Sequence, residues 1–132
     1  MKPSAFAAAL LLASCAASAS DGFASRHASA LALERSAAGR EYLMRFMTEV
    51  DAPSTALVEK CFEYGKKGTT DRFSLVADVL EDGSIANIAV RPETSQTRCF
   101  AEGMARVRAP RPPAGFAKRG FPIAIDTSNE YK

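Results

Sequence analysis

Asp82-Gly83 lies between two runs of mostly apolar residues, 73–80 and 85–90, and no other local feature constrains the chain as much. Glycine takes a positive φ without steric cost, so Asp-Gly flanked by such runs is the strongest short-range signal of a β-hairpin. With Asp82 and Gly83 as the loop, Glu81 faces Ser84. The pairs Val79/Ala86, Ala77/Ile88 and Leu75/Val90 then share one apolar face that ends at Phe73. The other face carries Ser74, Asp78, Asn87 and Arg91, mixed with Val76, Leu80, Ile85 and Ala89. A one-residue slip would send every side chain to the wrong side, so the register is well specified. One face is expected to pack on helices and the other to be partly wet.

The flanking segments supply those helices. From His27 to Val50, Leu31, Leu33, Tyr42, Leu43, Phe46 and Met47 form a partial apolar stripe at helical spacing. Gly39 interrupts it at a cost of about 1 kcal/mol relative to Ala, which predicts two shorter helices or one that frays. A further helix is expected with Asp51 as N-cap, Pro53 in its first turn and Gly65 at its end. Its inner stripe is Leu57, Val58, Cys61, Phe62 and Tyr64, and Lys66 and Lys67 suit the negative end of its dipole. A third helix is expected over 96–107, where Cys99, Gly103 and Val107 recur every four residues beside Phe100 and Met104. Pro110, Pro112 and Pro113 end it and stiffen an extended connector. A last strand over 120–127 alternates Phe121, Ile123 and Ile125, and Pro122 places it at a sheet edge or marks its start. The order predicts an α+β fold: a small antiparallel sheet of hairpin plus C-terminal strand, helices packed on one face, and an N-terminal helix before it.

The first 20 residues differ sharply from the rest. They hold one charge, Lys2, an Ala/Leu run over 5–13, and then small residues. That is the layout of a secretory signal peptide, and Ala17-Ser18-Ala19 fits the small-x-small cleavage rule, giving a signal over 1–19 and a mature chain from Ser20. Leu12-Ala13-Ser14-Cys15 also resembles a lipobox, in which Cys15 is acylated and becomes a membrane anchor. Both processing readings imply a periplasmic or secreted protein, and the second an outer-membrane lipoprotein touching the membrane only through Cys15. Residues 20–50 then form a tether and N-terminal helix, and 51–132 the main domain. Removing the first 19 residues takes away one Lys and no acid, leaving 113 residues and a net charge of +1. That is too mild for a nucleic-acid binder held by bulk charge. Cys61 and Cys99 remain in an oxidising compartment, where a disulfide is the economical expectation and a pair of buried thiols the alternative.

Residues 55–126 resemble the TonB/TolA carboxy-terminal domain superfamily. The resemblance rests on a helix containing Cys61, the strand-Asp82-Gly83-strand unit, Cys99 opening the next helix, the connector Ala109-Pro110-Arg111-Pro112-Pro113, and Phe121-Pro122-Ile123-Ala124-Ile125. It implies a non-catalytic periplasmic module that binds another envelope protein, with Cys61 and Cys99 placed like the cysteine pair of one subset. The long spanning region of the energy-transducing members has no counterpart here, so the expected role is an adaptor or a sheet edge that accepts a partner strand.

Candidate binding residues follow. Arg106, Arg108, Arg111, Lys118 and Arg119 occur between 103 and 125 without an acid, a candidate patch for an acidic partner and otherwise a solvated surface. Phe121 and Ile123 are candidate contacts on the last strand, whose edge could take a partner strand or a second copy of the chain. His27 is expected near a flexible N-terminus without a partner. The carboxylates of Glu59, Glu63, Asp78 and Glu81 show no acid–base or metal-binding spacing, and no nucleophile-elbow, zinc-helix or phosphate-loop motif occurs. The chain thus reads as an exported, non-catalytic protein-binding module needing no cofactor or metal. A periplasmic inhibitor or immunity-type lipoprotein that blocks an enzyme is the alternative.

Overall fold

Strand β1 (Arg72–Val79) is the middle of a three-stranded antiparallel sheet of order β2-β1-β3, with β2 at Ile85–Arg91 and β3 at Phe121–Ser128. In the computed structural model, which describes residues 20–62, 72–116 and 118–128, three helices cover this sheet: α1 (Ser20–Glu34), α2 (Ala37–Cys61) and α3 (Ser95–Met104). The fold is α+β, as the pattern of elements predicts.

The hairpin forms where expected, but its loop is one residue longer. Leu80 N–H donates to Ser84 O at 2.8 Å, Gly83 N–H donates to Leu80 O at 2.9 Å, and Gly83 has φ +85°. Glu81, Asp82 and Gly83 are therefore all loop, a turn closed by a left-handed glycine. Val79 faces Ile85 rather than Ala86, and Asp78 faces Ala86. The register then shifts between Asp78 and Val76, so that Asn87 and Ile88 together oppose Ala77 in a β-bulge. Asn87 takes φ +53°, a conformation its short amide tolerates, and donates from Nδ2 to Asp78 Oδ2 at 3.0 Å. Beyond the bulge, Leu75 faces Val90 as expected. The physical reason is burial: Ile85, Ile88 and Val90 all pack toward the core, and only a bulge puts residues 85 and 88 on one face.

Helix α2 corrects two boundaries. It runs unbroken from Ala37 to Cys61 with Pro53 inside it, so Asp51 is not an N-cap, and it spans residues 50 and 51 without interruption. Tyr42, Phe46, Val50 and Cys61 lie on its buried face. Packing this long stripe offsets the hydrogen bond that Pro53 removes. The break between helices falls at Ser36, whose Oγ accepts from Gly39 N–H at 3.0 Å as the N-cap. Gly39 is needed for space: a Cβ there would stand 1.9 Å from Leu33 O. Residues 20–25, expected as tether, are the first turns of α1. Thr94 caps α3 with a reciprocal capping box to Thr97. The expected signal over 1–19 with Cys15, and Tyr64, Gly65, Lys66 and Lys67, lie outside the described residues.

The core sits between the sheet and the pair α2/α3. Leu75, Ala77, Val79, Phe121 and Ile123 meet Tyr42, Phe46, Phe100 and Met104, all buried. At one end Phe62, Phe73 and Phe100 pack ring on ring, and the Cys61–Cys99 disulfide (Cα–Cα 5.6 Å) ties the last turn of α2 to α3. At the other end Tyr42 Oη donates to Pro110 O at 2.8 Å, and Ala109 N–H donates to Gly83 O at 2.9 Å, anchoring the connector across the hairpin loop. Helix α1 lies on the opposite face of the sheet, over Val76, Asp78 and Asp126.

Gly83→Val is expected to lower the melting temperature, with a loss of more than about 1 kcal/mol, because a β-branched residue resists positive φ. Its Cβ would also meet Ala109 O at 2.1 Å. An unchanged calorimetric melt would contradict this turn. Reducing Cys61–Cys99, which closes a 38-residue separation, should cost about 3–4 kcal/mol in denaturant unfolding.

Candidate functional site

The hydrogen-bond direction of β1 determines what β3 offers. Leu80 N–H points to β2, and Phe73 N–H donates to Thr127 Oγ1 of β3 at 3.1 Å. Backbone groups alternate along a strand, so the odd residues of β1 bond to β3, and their partners Phe121, Ile123, Ile125 and Thr127 point inward. Pro122, Ala124 and Asp126 therefore turn their backbone away from the sheet. Among the described residues no strand pairs with this outer side, so β3 is an edge. Pro122 sits where its missing N–H removes no ladder bond and blunts one end of the edge.

On the core side of β3 a cavity of about 130 Å³ is lined by Phe46, Met47, Val50 and Val58 of α2, Phe100 of α3, and Ile125. Met47 and Met44, the latter 73% exposed, present thioethers to solvent on the same helix. Such side chains adapt to varied apolar partners. Of the apolar α2 residues lining the cavity, Phe46, Met47 and Val58 belong to the apolar stripes expected from the sequence, and Val50 does not. Only the position of β3 beside α2, a long-range fact, shows that part of those stripes is left open.

The expected basic residues divide. Arg106, Arg108, Arg111, Lys118 and Arg119 are all exposed, and the connector and hairpin contacts place them toward the loop end of the sheet. Arg108 Nη1 lies 3.3 Å from Asp82 Oδ2. Hydrogen bonds from the Ser84 hydroxyl and N–H, aided by Arg108, hold the Asp82 carboxyl down at about 2. Phe121 and Ile123 correct the expectation of side-chain contacts there: both are buried, at 0% and 1% exposure, and serve the core. What β3 offers outward is backbone.

His27 is also corrected. Its Nε2 lies 2.9 and 3.0 Å from the two oxygens of Asp126, pinning α1 to β3, and Phe23 stacks beside its ring. Ser74 Oγ donates to the same carboxylate at 2.5 Å. Burial pushes the Asp126 carboxyl up, but the bonds from Ser74 and His27 and the His27 charge outweigh it and hold it below its ordinary value. The carboxylate stands between hydroxyl and imidazole. Activating a serine needs the imidazole beside the hydroxyl, so this trio is not a hydrolytic triad. Among the described residues no group of three His, Cys, Asp or Glu gathers to hold a metal, and no helix is long and apolar enough to cross a membrane. No family model, curated protein or solved structure matches the chain.

Both depressed carboxylates favour the folded state above their unfolded values, and that stability is lost as pH falls through their folded ones. Thermal melts should therefore drop as pH is lowered from 3.8 toward 2. Asp126→Asn should melt lower at neutral pH and show a shallower acid decline. A variant matching the wild type across this range would contradict the pairing.

Proposed function

We propose that this chain is an exported, non-catalytic envelope protein, of the kind the TonB/TolA carboxy-terminal resemblance implies, and that it binds another protein by accepting an extended segment along β3. The reading is carried by one observation: the outward backbone of Ala124 and Asp126 lies unpaired among the described residues, with an apolar cavity on the core side of the same strand. Backbone hydrogen bonds would supply affinity there, and alternate side chains entering the cavity would supply selectivity.

The test is Ala124→Pro. It removes an outward N–H without touching a ladder bond, as Pro122 already does one position earlier in the alternation. The variant should keep its melting temperature and lose partner capture in envelope crosslinking. Capture that survives would contradict the edge reading. The exposed arginines at the loop end favour a second reading, an inhibitor or immunity-type lipoprotein that blocks an enzyme through its basic connector. On that reading Arg111→Glu with Arg119→Glu abolishes capture, and Ala124→Pro does not.

A further inference from the structure

Helix α1 is held unlike α2 or α3. Of its described side chains only Ala30 is buried, and Val76 is the buried even-face residue of β1 on the side of the sheet that α1 contacts. Leu33, beside the junction, packs partly buried against the core, and the rest of its hold on the sheet is largely polar. Arg26 donates to Asn87 O at 2.5 Å and lies 3.6 Å from Asp78 Oδ2, His27 meets Asp126, and the Arg91 guanidinium sits 5.2 Å over the Phe23 ring. Each of these partners belongs to the sheet.

The junction to α2 is equally slight. Arg35 and Ser36 still donate to Ala32 O and Leu33 O, and Ser36 turns the chain with φ −73° and ψ 154°. If Ser36 took a helical ψ, α1 and α2 would join into one rod roughly 60 Å long, at 1.5 Å per residue. The rod would carry α1 off its own sheet, leaving Val76 uncovered and Asp78 and Asp126 without Arg26 and His27. One surface described here has the complement of α1's Arg26, His27 and Ala30: the same sheet face of another copy. A short hinge joining a weakly buried element to its domain is the setting in which elements exchange between protomers.

We propose that α1 is exchangeable, and that the sheet face beneath it is a docking surface for α1 of a second copy. The closed monomer and the α1-exchanged dimer then hold the same contacts on each sheet and differ at Ser36. This dimer leaves the β3 edge open, so the inference stands apart from the strand-accepting reading.

Gly39 reports the switch. Leu33 O approaches its Cα only in the closed turn, where a Cβ would stand 1.9 Å away, and alanine favours the continuous helix. Light scattering on Gly39→Ala should find a dimer at concentrations where the wild type is monomeric. A folded variant that stays monomeric at every concentration would overturn the proposal. A second experiment decides even if that variant does not fold. His27→Asp places two carboxylates together, and Asp126→His two imidazoles, so each chain alone should melt below the wild type. Refolded together, each α1 finds its complement on the other chain: the mixture should form heterodimers by native mass spectrometry and regain most of the lost melting temperature. A mixture that melts as the sum of its parents, without heterodimer, would overturn it. Adding Ala124→Pro to both chains should leave the heterodimer intact, and its loss would assign the dimer to edge pairing instead.

Discussion

Everything in this molecule is arranged around the double burial of β1. It is hydrogen-bonded along both sides, and its alternate residues meet cover on both faces: Leu75, Ala77 and Val79 under α2 and α3, Val76 under α1. A strand so enclosed has one register with all its apolar groups out of water, and a slip would bury Ser74 and Asp78 in the aromatic core. The flanking strands inherit that register. The disulfide, the Phe62–Phe73–Phe100 cluster and the Tyr42–Pro110 bond act at its two ends, closing the space between sheet and helices.

What was legible in the sequence was what local periodicity encodes. The alternation of β1, the inward set Phe121, Ile123 and Ile125, the edge position of the strand with Pro122, and the Cys61–Cys99 bridge all appear in the structure. The hairpin loop differs from the expected two residues because an Asp-Gly pair closes both two- and three-residue turns. The spacing Ile85, Ile88, Val90, which no regular strand can bury on one face, carried the sign of a bulge. Asp51 and Pro53 look like a helix start at short range, and the stripe that continues through them decides otherwise. The seat of α1 was illegible for a different reason. Its sequence is rich in alanine, and its fastening residue His27 finds Asp126 at a distance of 99 residues along the chain.

The candidate site follows the same division. Arginines can be read from composition as a charged stretch, and the structure leaves them exposed at the loop end. The alternation of Phe121 and Ile123 on a strand expected at an edge makes them candidate contacts, but the face they share is the core. The free backbone of β3 and the open part of the α2 stripe come from topology, which fixes which strand is last and which helix lies next to it.

The kink at Asn87 gives the two margins of the sheet unequal prospects. Growth of sheets into fibres needs two straight borders, one to donate and one to receive, repeated from molecule to molecule. Here the β2 border is bent out of line by an extra residue and a left-handed asparagine, while the β3 border is regular past its proline. A molecule built this way offers one regular border instead of two, so identical copies cannot stack border to border into an unbroken fibre.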